Sequence, residues 1–170
     1  MLWHAIVAWC AVESGDTDRS RAVLEAIPPE DIRDLDRNYM WWPVVAGLTH
    51  TATLLGDRNW SALLYDLVSP YAGRLCSVGS TSFAGAATYL LGALAATLGR
   101  TEEASEHFES ALEQHRRLGA RPFLALTQAS YASALARSDP ERAERLRDEA
   151  LASARELGLA IVERRLATLG

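Results

Sequence analysis

The chain has no lysine: all 17 of its basic residues are arginine. A GC-rich gene accounts for this, because such genes favour arginine and alanine codons, and alanine is very abundant here. Positive charge is also outnumbered, with 22 acidic residues and a formal net charge of −5. Phosphate contact needs an uncompensated basic face. The densest arginine region, Arg137, Arg142, Arg145 and Arg147, is interleaved with Asp139, Glu141, Glu144, Asp148 and Glu149. That pattern describes a solvated mixed face with i,i+4 pairs such as Glu141–Arg145, so direct binding of DNA or RNA is not expected.

Cysteine is scarce. Cys10 and Cys76 lie far apart, without a CxxC neighbour or a histidine at ligand spacing, which argues against a metal site. Both are expected to be buried free thiols in a reducing cytoplasm. Long apolar runs are missing as well. The segment 1–12 is too short to span a bilayer, and it lacks the positive n-region and A-x-A site of a signal peptide. It reads as a core-facing helix, and no membrane partner is expected. No Ser, Thr, Asp or Asn precedes that helix to cap it, which suggests a piece of a longer helical array. No GxxxxGK[ST], HExxH or G-x-S-x-G motif occurs, so the expectations are no catalytic residue, no cofactor and no enzyme activity. No glycine- or serine-rich linker divides the 170 residues, and 49% hydrophobic content suits one folded domain.

What is present is a repeat. Gly15, Gly56 and Gly99 each end an apolar helical run and precede an amphipathic one, and Ser138 stands in the fourth equivalent place, at intervals of 41, 43 and 39 residues. The chain is therefore expected to be all-α, four stacked antiparallel helical hairpins at about 2–27, 40–69, 84–118 and 122–157. A final helix over 159–169 would lay Leu159, Val162, Leu166 and Leu169 on the last hairpin. Pro28–Pro29 and Pro70 stop the first two hairpins, and Asp139-Pro140-Glu141 is a strong helix start. The stretch 29–38 is polar, with at most a short helical turn. The stretch 73–85, with Gly79 and Gly85, reads as an irregular loop rather than a phosphate cradle, and no strand is expected.

The third hairpin carries the clearest pattern: Leu91-Gly92, then Leu98-Gly99, then Ala104, Phe108 and Ala111. A small residue at Gly92 would let the first helix approach the second at Ala104, with Phe108 filling the space toward the next hairpin. This spacing resembles the tetratricopeptide repeat. Thr88, Ala95 and Arg116 stand where that pattern prefers tryptophan, tyrosine and proline, and the period exceeds the family's 34. The other repeats keep the outline at Ala8, Gly15, Ser20 and Leu24; at Thr49, Gly56, Ser61 and Tyr65; and at Tyr131, Ser138, Ala143 and Ala150. More particularly, 67–74, 89–100 and 107–122 are similar to the C-terminal, MalT-type helical-repeat region of large actinobacterial regulators. In those proteins an AAA- or STAND-type ATPase precedes the repeats, with a LuxR-type DNA-binding domain or a class III nucleotide cyclase. The resemblance implies a right-handed superhelix and a cytoplasmic, non-catalytic arm for signal transduction, holding a protein partner or sister domains. A small effector in the concave groove is the alternative.

Helical register offers candidates for that groove: Trp9, Trp42, His50, Tyr89 and Gln128, with Arg121 near its mouth. Aromatics and a few polar groups suit peptide or ligand capture. Burial in the core is the plainer account of Trp9, His50 and Tyr89. His107 and His115 share a helix with Glu103 and Glu106 and are assigned to a solvated charged face rather than a metal site. Trp41 and Trp42 are adjacent on a helix and cannot both enter the same core, so one must cover a neighbouring segment or stand exposed.

Overall fold

The computed structural model describes residues 1–78 and 82–167. Its helices are α1 (Leu2–Glu13), α2 (Thr17–Glu25), α3 (Pro29–Arg33), α4 (Trp41–Leu55), α5 (Arg58–Val68), α6 (Ala87–Leu98), α7 (Thr101–Arg117), α8 (Arg121–Leu135), α9 (Pro140–Leu157) and α10 (Ala160–Ala167). The chain is all-α apart from one small strand pair. Gly79 and Leu169 lie outside the described residues.

The glycine and aspartate punctuation explains the turns. Gly56 and Gly99 sit at φ +66° and +77°, where a side chain would strain the backbone. The amide after each turn glycine donates five residues back: Asp16 to Ala11, Asp57 to Ala52 and Arg100 to Ala95, each at 2.9 Å. Aspartates then cap three of the returning helices. Asp16 accepts from the Arg19 amide, Asp57 from those of Asn59 and Trp60, and Asp139 from that of Arg142. The fourth turn is built differently. No described non-glycine residue has a positive φ, so Ser138 does not reproduce the glycine conformation; its amide and that of Asp139 both donate to Leu135 O at 3.0 and 2.9 Å. Pro29 does not merely stop the first hairpin. It is the first residue of α3, where its missing N–H costs nothing.

Helices pack in the pairs α1–α2, α4–α5, α6–α7 and α8–α9, while the first helices, α1, α4, α6 and α8, lie side by side in that order. One apolar cluster runs from Ala5 to Leu146 through all four pairs. Repeat-equivalent positions meet as the sequence implies: Ser20, buried, donates to Ala8 O at 2.9 Å. Gly92, Ala104, Phe108, Ala111, Leu91, Ala143 and Ala150 are all buried. At Gly92 the nearest neighbour is the Phe108 ring itself, and a Cβ there would stand 2.8 Å from it. Phe108 continues onto Tyr131 of the next hairpin, with ring centroids 5.1 Å apart. In the second repeat the core position belongs to Leu64, fully buried, while Tyr65 turns half outward. A second cluster, of Ala125, Ala129, Ala150, Ala154, Val162 and Leu166, seats α10 on α8 and α9.

Two readings are corrected. The loop 73–85 contains an antiparallel pair, β1 (Leu75–Val78) and β2 (Ser82–Ala86), so α6 starts at Ala87 rather than 84. Strands of four and five residues are too brief for alternation to stand out in the sequence. His115 is not on a solvated face but fully buried. Its Nε2 accepts from the Ala86 amide at 3.0 Å, and its Nδ1 pairs with Thr127 Oγ1 at 3.0 Å, tying β2 and α8 to α7.

Candidate functional site

The first helices lie side by side, and α1, α4 and α6 each contribute a ring to one cluster through their own register. Trp9 and His50 are separated by one repeat, and their rings stack with centroids 5.1 Å apart. Tyr89 of α6 follows at 5.8 Å from His50. Glu13 lies one turn beyond Trp9 and accepts from its Nε1 at 3.1 Å. The fifth member comes from far away in sequence. Arg165 of α10 donates to Tyr89 Oη at 3.2 Å and forms an ion pair with Glu13. The two side chains of that pair are only 13% and 14% exposed, so it is far less screened than a surface pair. Burial, with the nearby Arg165 charge as a smaller cause, lowers the His50 pKa from 6.5 to about 3. His50 is therefore neutral at physiological pH, a flat polar plate between Trp9 and Tyr89.

Beyond Tyr89 the groove opens into a cavity of about 530 Å³. Small side chains create it: Ala93 and Ala96 of α6, Ala129 and Ala134 of α8. Ser130, Ser133, Thr53 and Thr97 add hydroxyls to its lining. Arg58, the first residue of α5, closes one end by donating to Thr97 O at 3.1 Å and Leu98 O at 2.7 Å. That caps the C-terminus of α6 with a cation, where the helix dipole favours one.

Of the expected groove residues, Trp9, His50 and Tyr89 come together. The other three do not join them. Trp42 packs against Trp41 and Tyr71 in a separate aromatic group, with centroids 4.6 and 5.7 Å away. Trp41 of that group is buried, while Trp42 is half-buried. Gln128 is buried between α8 and α9, its amide donating to Glu149; Ser130, two residues on and some 200° around the helix, is what faces the cavity. Arg121 is exposed and pairs with Glu156. Sequence reading missed Glu13, Arg58, Ser130 and Arg165. The i,i+4 spacing of Trp9 and Glu13 was a usable local signal, but Arg165 had none.

The acid–histidine pair on α7 serves a different contact. Glu103 accepts from Tyr65 Oη at 3.0 Å, and His107 Nε2, also at 3.0 Å, then acts as donor to the same phenol oxygen. Arg100 lies over the Tyr65 ring at 5.0 Å. These residues join α5 to α7. Among the described residues, no group of three or more His, Cys, Asp or Glu side chains could hold a metal ion, and no helix is long and apolar enough to cross a membrane. No family model, curated protein or solved structure matches this chain.

Proposed function

We propose that this chain is a non-catalytic interaction module, a tetratricopeptide-like array in the regulatory arm of a bacterial signalling or transcriptional regulator. The observation that carries the reading is the hydroxyl-lined cavity among α4, α6 and α8, with the Trp9–His50–Tyr89 ring cluster packed beside it. Such a surface offers anchors for a side chain and, because Thr53, Thr97 and Ser133 donate to their own helix carbonyls, hydroxyl acceptors for a peptide N–H. The likeness of the third hairpin to tetratricopeptide repeats supports the same reading, and so does the likeness of 67–122 to regulator repeat regions. Both cysteines are free, Cys76 buried with its thiol pKa pushed up to about 12 and Cys10 exposed rather than buried as expected, and unpaired thiols suit a reducing cytoplasm. Random-peptide display on the chain tests this reading. Selected peptides should lose roughly tenfold or more in affinity when Ser133→Trp fills the cavity. Binders that ignore that variant would contradict it.

The size of the cavity supports a second reading, since about 530 Å³ lies within the range of small-molecule sites. A small effector held there would raise the melting temperature by mass action. A metabolite screen that moves neither melting temperature nor tryptophan fluorescence would remove this alternative.

A further inference from the structure

We propose that Trp9, Glu13, His50 and Tyr89 form a guanidinium-binding subsite, occupied in cis by Arg165, and that the groove's partner presents an arginine there in place of α10. This inference rests on the reading of the groove as an interaction surface.

The chemistry of the subsite selects a guanidinium. Glu13 is held by the Trp9 indole N–H and directed at Arg165, while Tyr89 offers a phenol oxygen to a second nitrogen of the same fork. A planar fork reaches both acceptors at once, whereas a lysine ammonium is a compact, more strongly hydrated point charge. The rings that carry these groups are themselves fixed, with Trp9 stacked on His50 and Tyr89 next in line. His50 carries no charge at neutral pH to oppose a cation. Three different hairpins therefore build one receptor for one side chain.

The occupant sits on an element that is light to displace. α10 has eight residues, too few to hold a helix unaided, and its fully buried side chains are Val162 and Leu166 on a bed of alanines. Tyr89 and Arg165 also line the cavity, so the subsite and the cavity form one continuous surface. A peptide lying in the cavity could insert an arginine where Arg165 stands. Free arginine would compete poorly with a tethered residue, but a peptide that adds groove contacts would compete well.

The test uses the whole chain. Wild type and Arg165→Ala are titrated with N-acetyl-arginine amide and N-acetyl-lysine amide, reading tryptophan fluorescence and melting temperature. Arg165→Ala should bind the arginine amide in the millimolar range, roughly fivefold or more tighter than the lysine amide, with wild type responding far less. Glu13→Gln in the Arg165→Ala background should abolish the difference. If Arg165→Ala does not melt cooperatively, Arg165→Met, which keeps the buried stem, is read the same way. Equal responses to both amides, or none from a folded variant, would overturn the proposal. Peptides displayed on Arg165→Ala should be enriched in arginine. Groove binders without that enrichment would overturn the subsite yet leave the interaction surface standing, and a failure to select any groove binder would overturn both.

Discussion

The hydrogen that stands in place of a Cβ on Gly92 lets the Phe108 ring lie against α6, because a Cβ would stand 2.8 Å from that ring. Phe108 is fully buried and stacked on Tyr131, so moving the ring disturbs that contact. Gly92→Leu should cost about 1–3 kcal/mol from overpacking, more than the ~0.5–1 kcal/mol that replacing a helical glycine returns. The urea midpoint measures the loss, and Phe108→Leu in the same chain should recover part of it. The pattern Leu-Gly, Leu-Gly, Ala-x-x-x-Phe marked these residues, but it pointed Gly92 at Ala104 and Phe108 at the next hairpin, and that the Phe108 ring itself lies over Gly92 was not legible. The histidines were not legible in the same way. Burial lowers the His115 pKa from 6.5 to about 4, and His50 is lowered to about 3. Both bind protons more readily unfolded than folded, so their contribution is fully present above pH 6.5 and is lost as pH falls toward those values. Melting temperature should therefore fall between pH 6.5 and 4.5, a window set by those lowered pKa values. The double variant His50→Gln/His115→Gln should flatten that slope. An unchanged slope would mean other groups control it.

Glycine turns and aspartate caps set the ends of the helices, and both were readable from spacing. Asp57 satisfies two amides of the first turn of α5, so Asp57→Ala should destabilise by about 1 kcal/mol, within the ~0.5–2 range for lost caps. Thermal or urea unfolding measures it, and Arg58 next to it permits a contrast. Arg58→Ala removes the cap on α6 instead, and amide exchange should quicken at the end of α6 near Leu98 rather than at the start of α5. The strand pair was hidden for the opposite reason: Cys76 of β1 is buried and His115 accepts the Ala86 amide of β2, contacts that no short window of sequence contains. Tyr65 shows the limit of repeat arithmetic. One position of slip rotates a residue by 100° on the helix, enough to exchange Leu64 for Tyr65 in the core.

Across the whole molecule, the order of the hairpins followed from the sequence, but the closure of the groove did not. Trp9, His50 and Tyr89 could be placed on one side because each sits on the first helix of its hairpin. Trp42 and Gln128 were placed there by the same reasoning, yet Trp42 packs on Tyr71 and Gln128, some 200° around α8 from Ser130, turns to Glu149. Glu13 and Arg165, 152 positions apart, meet only because successive hairpins bring the ends of the array within reach of one ion pair. That relation accumulates over four packing interfaces, and no local pattern encodes it. The interface between the first two hairpins gives the most direct check on the side-by-side arrangement of first helices. A Cβ built on Gly47 of α4 lies 3.3 Å from the Ala5 carbonyl oxygen and 3.5 Å from the Cβ of Ala5 on α1, at the short end of the range that a disulfide spans. Ala5→Cys/Gly47→Cys, in a background of Cys10→Ser and Cys76→Ala, should form an intramolecular disulfide under mild oxidation, and the oxidised chain should melt at a higher temperature than the reduced one. Failure to cross-link, or cross-linking only between chains, would contradict the arrangement on which the groove depends.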